Sequence, residues 1–162
     1  MRWIWIDRFE EFESGRRAVA VKNVTLAEDY LHDHFPGYPV MPASLLIEGM
    51  AQTAGILVGE ANNFSEKVIL AKVKRAVYYS LVTPGQQVRH EATLEQMSGA
   101  AAMTSGRIFC GAELVGEVDM VFSHIDQNIS GLEFPEENFV FTDEFMSLLK
   151  TYREQGGARV SL

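Results

Sequence analysis

The chain is short of several things. It has one cysteine, Cys110, so it can form no internal disulfide and carries no CxxC-type metal site. A lone cysteine of this kind reads as a small buried hydrophobe rather than a nucleophile. Basic residues are outnumbered, 14 against 22 acids, for a net charge of -8. A nucleic-acid binder needs a basic footprint, so that class is disfavoured. No uncharged apolar run reaches the roughly 18 residues of a membrane span. The stretch from Ala43 to Val58 comes nearest, but Glu48 and Gln52 interrupt it, which suits a buried helix better. The N-terminal run MRWIWIDRFEEFES meets acids by residue 7 and lacks a small-residue cleavage site, so a cytoplasmic protein is expected. Proline is also scarce, and three of the five prolines fall between residues 36 and 42.

What is present suits one domain of 162 residues with 47% hydrophobic residues. Residues 1–25 alternate apolar and polar from Trp3 onward and predict two strands joined at Glu13-Ser14-Gly15. Thr25, with Glu28 three residues on, predicts a short helical turn over 26–30. The loop 32–42 is shaped by Pro36, Gly37, Pro39 and Pro42. A long helix follows over about 43–60 and stops at Asn62 and Asn63. Four strand-like segments come next, at about 67–79, 86–96, 101–112 and 115–125, and read as an antiparallel meander. Residues 126–140 look irregular. Phe145, Leu148, Leu149 and Tyr152 at helical spacing predict a terminal helix over 143–155, capped by Thr142. One helix against one sheet is an α+β architecture.

Chemistry concentrates in residues 34–57, HFPGYPVMPASLLIEGMAQTAGIL. On a helical wheel Ser44, Glu48 and Gln52 share one stripe, roughly continued by Gly55 and Gly59, while the rest is apolar. A helix apolar nearly all round is buried nearly all round, so its polar stripe faces a pocket or a partner subunit. Pro42 suits the first helical position, which leaves the Ala43 amide without an intrahelical acceptor. Such an amide at the positive end of a helix can hold a developing oxyanion. Glu48 lies five residues on, roughly 7.5 Å along the axis. His34 precedes the loop, and histidine is the side chain best suited to act as a base near neutral pH. A base, an acid and an oxyanion donor are what α-proton abstraction next to a thioester and loss of a β-hydroxyl require. Against this stands a plainer reading, in which His34 is an ordinary loop histidine and Glu48 an ion-pair anchor for Lys72 or Arg75. His32 is the rival base. His90 and His124 fall in strands and read as structural.

The string HFPGxPxMP followed by LLIEGMAQxxGIL resembles the 3-hydroxyacyl-[acyl-carrier-protein] dehydratases of the FabZ/FabA type. The resemblance implies the hot-dog fold, a curved antiparallel sheet wrapped around one long central helix, over residues 1–125. It leaves 126–162 as an added C-terminal extension. It implies His34 and Glu48 as the catalytic pair, contributed by opposite subunits of a homodimer, and the backbone amide of Ala43 as oxyanion donor. Ser44 and Gln52 are candidates for support. The family usually has glycine where this chain has Ala43. The acid is glutamate, as in FabZ-like members, rather than the aspartate of members that also isomerise the double bond. The resemblance therefore implies dehydration to the trans-2-enoyl thioester, with no cofactor and no metal, in fatty-acid or related acyl-chain synthesis. It also implies acyl carrier protein as partner. Because that carrier is acidic, docking needs a local basic surface, from Lys67, Lys72, Lys74 and Arg75 or from Arg16 and Arg17. Two alternatives are a hot-dog thioesterase and a non-catalytic acyl-binding or heterodimer subunit.

Overall fold

A long helix needs a surface to bury its apolar sides, and here six strands supply it. The computed structural model describes residues 3–125 and 135–155, the side chains of 152–155 excepted. In chain order the elements are β1 (Arg8–Glu13), β2 (Arg17–Asn23), α1 (Tyr30–Asp33), α2 (Ala43–Ala61), β3 (Val68–Tyr78), β4 (Gln87–Met97), β5 (Ala101–Cys110), β6 (Glu113–His124) and α3 (Asp143–Gln155). The strands form one sheet in the order β1-β2-β4-β5-β6-β3, and every neighbouring pair is antiparallel. Four of the five pairings contain register shifts, two of them between β3 and β6. Each extra residue bends its strand and adds twist, which lets the sheet curve around α2. This is the hot-dog arrangement.

Alternation decides which side chains face the helix. Along β5, Ala102, Thr104, Gly106, Ile108 and Cys110 are buried while their neighbours are not. Along β6, Val118, Met120, Phe122 and His124 do the same. The helix packs tightly on this inner face. A Cβ on Gly49 would lie 2.5 Å from His90 Nε2, and one on Gly106 would lie 2.5 Å from Met50 Sδ. Missing side chains thus set the helix–sheet distance at β4 and β5. Met50, Ala54, Leu57 and Val58 are buried on the helix, and each large one contributes about 1.5–3 kcal/mol.

Several boundaries differ from expectation. The first strand starts at Arg8, not Trp3, because the backbone of Trp3 and Trp5 bonds to a side chain of α2 instead of a strand. Residues 26–29 form turns, and the short helix follows at Tyr30–Asp33. Only β4, β5 and β6 form a meander. β3 crosses to the far side of β6, since the free edge of β4 is taken by β2. Gly59 leaves the polar stripe and is buried against Phe64 and Phe141. The terminal helix lies where its periodicity placed it. Thr142 Oγ1 accepts the Phe145 amide at 3.3 Å, and Leu149 is buried. Tyr152's side chain and residues 126–134 lie outside the described residues.

On the outer face Glu91 is almost fully buried yet charged. Arg17, Arg89 and Arg107 surround its carboxylate at 3.3, 2.5 and 3.1 Å, which offsets the cost of taking it out of water.

Candidate active site

The loop before α2 is built by its own backbone. The amides of Phe35 and Tyr38 each bond to the other's carbonyl, at 3.1 and 2.9 Å, and Val40 N–H donates to the His34 carbonyl at 2.9 Å. Gly37 makes this turn possible, with φ at 79° where a side chain would be strained. Met41 N–H donates to the Val82 carbonyl at 2.8 Å and ties the loop to the segment before β4. The His34 ring stacks on Phe35 at 4.3 Å, and its Nδ1 lies 2.9 Å from the Val40 carbonyl oxygen. A carbonyl can only accept, so Nδ1 carries the hydrogen. In the neutral ring this leaves the lone pair on Nε2, the form a general base needs.

Pro42 is the N-cap of α2, with φ -57° and ψ 138°, and Ala43 is the first helical residue. The cap role corrects the expected first-turn proline. Ala43 still heads the helix, because the carbonyl of Pro42 already accepts the amides of Leu45 and Leu46. Among the described residues the amide of Ala43 has no hydrogen-bond partner, and the residue is exposed. Tyr78 Oη donates to the Ala43 carbonyl at 3.0 Å and holds the helix start against β3. Burial pushes the Tyr78 hydroxyl up to about 12, so it stays a donor at neutral pH.

Glu48 is half-buried, one turn beyond Ser44, which is exposed. Its partner is neither Lys72 nor Arg75. Gln52 Nε2 donates to Glu48 Oε1 at 2.9 Å, while Arg75 pairs with Glu117 at 3.0 Å. Gln52 is held on its other side by the N-terminal segment. Its Oε1 accepts the Trp5 amide at 2.8 Å and its Nε2 also donates to the Trp3 carbonyl at 3.0 Å. The amide is therefore fixed from outside α2, and it in turn fixes the carboxylate. Beyond this pair opens a cavity of about 340 Å³ between α2, β3, β6 and the segments 3–4 and 140–145. Glu48 and Gln52 line one part, and Ile56, Val68, Leu70 and Phe122 make the rest apolar.

Glu48 and Gln52 come together at this cavity, and His34 is not among the residues that line it. The other histidines are accounted for. His32 is exposed. His90 is fully buried, with its pKa pulled down to about 3 by burial, and is therefore neutral. His124 is buried against Glu66. Sequence reasoning missed the backbone groups of Trp3 and Trp5. They are far from the motif in the chain and carry no local signal.

The family model for the FabA-like domain matches residues 3–119. The chain belongs to the FabA-like family. A 3-hydroxyacyl-[acyl-carrier-protein] dehydratase FabZ of Pelotomaculum thermopropionicum is 38% identical over 122 residues, covering 75% of this chain and 87% of that protein. The FabZ of Koribacter versatilis is 40% identical over 114 residues, covering 69% and 73%. Among solved structures, an uncharacterized protein of Pyrococcus horikoshii superposes with a TM-score of 0.61 at 14% identity, over 78% of this chain and 88% of that one. The dehydratase heterocomplex ApeI:P of Xenorhabdus doucetiae gives 0.56 at 13%, over 68% and 89%. At such identities these two show the fold alone. The match to the family stops at 119, so residues 120–162, with the whole of α3, stand outside it.

Proposed function

We propose that the protein dehydrates 3-hydroxyacyl thioesters carried on acyl carrier protein, giving trans-2-enoyl thioesters. His34 Nε2 removes the α-proton. The electron pair moves toward the thioester oxygen, where the Ala43 amide stabilises it. Its return forms the double bond and breaks the bond to the β-hydroxyl, which takes a proton from Glu48 and leaves as water. The base gains one proton and the acid loses one, so the site resets by proton exchange. The observation that carries this reading is Glu48, oriented by Gln52 at the edge of an apolar cavity, in a chain whose relatives bear the dehydratase name. Glutamate rather than aspartate at this position supports dehydration without isomerisation.

The site is completed by a second copy, whose His34 reaches Glu48 of the first. Three features support a homodimer. Ala43 and Ser44 are exposed and Ile47 only half-buried on α2. β3 pairs on one side only. Leu70 on that strand is exposed. Carrier docking falls to Lys72 and Lys74, which are exposed on β3, whereas Arg16 and Arg17 are engaged by Glu13, Glu11 and Glu91. A cytoplasmic setting suits the single cysteine, and no helix among the described residues is long and apolar enough to cross a membrane.

The test is hydration of crotonyl thioester, the reverse reaction, followed by loss of enoyl absorbance. His34→Ala and Glu48→Gln each lower the rate by roughly 100-fold or more. Equal activity in wild type and both variants, all folded, overturns the assignment.

A further inference from the structure

The cavity beside Glu48 is lined in part by Val140, Phe141 and Phe145, residues that the family match does not include. Asn138 sets their place. Its Nδ2 donates to the carbonyls of Phe64 and Glu66 at 3.1 and 3.4 Å, and its Oδ1 accepts the amides of Val140 and Phe141 at 3.1 and 3.0 Å. The chain is thereby held over the end of α2, and the Phe141 ring drops onto Gly59. A Cβ on Gly59 would lie 2.4 Å from Phe141 Cζ, so only glycine admits the ring. Phe141 packs edge-on against Phe64 at 5.0 Å and lies 5.9 Å from Phe145, which Thr142 holds in the first turn of α3.

Among the described residues, Glu48 is the one titratable group lining the cavity. From it the wall along α2 passes Gln52, Gly55 and Ile56 before meeting the aromatic pair. Gly59, under Phe141, lies eleven residues beyond Glu48, roughly 16 Å along the helix axis. A thioester whose β-carbon sits at Glu48 has its alkyl tail directed along this apolar wall, toward Phe141 and Phe145.

We propose that Phe141 and Phe145 form the floor of the acyl pocket and set the longest straight acyl chain the enzyme accepts. The inference rests on the dehydratase reading for what enters the pocket, and the floor itself comes from the C-terminal segment of the same chain. Phe141 is buried and supports the fold, whereas Phe145 is only half-buried, so Phe145 is the position to vary.

The full-length protein is assayed for hydration of crotonyl, octenoyl and dodecenoyl thioesters, and the ratio of kcat/KM for dodecenoyl over crotonyl is read. Phe145→Ala deepens the pocket and raises that ratio about tenfold, the worth of nearly two further buried methylenes at roughly 0.8 kcal/mol each. Phe145→Trp raises the floor and lowers the ratio by a similar factor. A ratio that stays the same in both folded variants overturns the proposal, and Phe145→Trp alone decides it if Phe145→Ala does not fold. If the wild type hydrates none of the thioesters, the dehydratase reading fails separately. Binding of a dansyl-labelled long-chain fatty acid then decides the floor. Tighter binding in Phe145→Ala and weaker in Phe145→Trp supports it, and equal binding in wild type and variants overturns it.

Discussion

At the scale of single residues, two histidines of the same chain stand in opposite surroundings. His34 keeps one nitrogen on the Val40 carbonyl and the other free at a partly open site. His90 lies under α2, its Nε2 facing Gly49, with no hydrogen-bond partner among the described residues for either ring nitrogen. Burial holds it neutral, with a pKa near 3 against the ordinary 6.5. The unfolded chain therefore binds a proton that the folded chain refuses between these two values. Stability contributed this way is full above about pH 6.5 and is lost as the pH falls toward 3, by up to roughly 1.4 kcal/mol per pH unit. Thermal melts between pH 7 and about pH 5 check this: His90→Leu flattens the acid limb of the curve, and an unchanged slope sinks the idea.

At the scale of elements, α2 is a helix whose approach to the sheet is set by atoms it does not have. Gly49 meets the His90 ring and the backbone oxygen of Trp5, at 2.5 and 3.1 Å from where a Cβ would stand. Alanine is the better helix former by about 1 kcal/mol. Here the crowding decides the sign, because the ring is rigid and the carbonyl belongs to backbone. Gly49→Ala destabilises by about 1–3 kcal/mol, read as a lower urea midpoint with an unchanged slope; a more stable variant contradicts the close packing. The same helix also shows how far periodicity carries. Ser44, Glu48 and Gln52 share a stripe as their spacing requires, but Gly59 does not continue it. Whether a position on a helix meets solvent or a ring depends on what arrives from elsewhere, in this case Phe141.

At the scale of the whole molecule, the proposed site draws on two places in the chain. Glu48 lines its cavity, and His34, on the preceding loop, is not among the lining residues. If two copies share sites, inactive variants repair one another. Equal mixing of His34→Ala and Glu48→Gln subunits, with exchange, makes half the dimers mixed, and each mixed dimer regains one intact site of two. Activity then returns to about a quarter of wild type. A mixture that exchanges subunits and stays as inactive as its components places both groups within one chain.

The sequence by itself determined the elements whose signals are local. The apolar run fixed the place of α2, Pro42 and the asparagines its ends, the alternation in β5 and β6 their inner faces, and Thr142 the start of α3. It also put Glu48 and Gln52 within reach of one another, since four residues make one helical turn. Only the tertiary structure decided what is held by contacts distant in the chain. It put β3 beyond β6 rather than beside β4, and bound Gln52 to the backbone of Trp3 and Trp5. It brought Phe141 and Phe145, more than ninety residues after Glu48, to the wall of the cavity. Local patterns record what a segment prefers against water, and they hold no information about which other segment comes to rest on it.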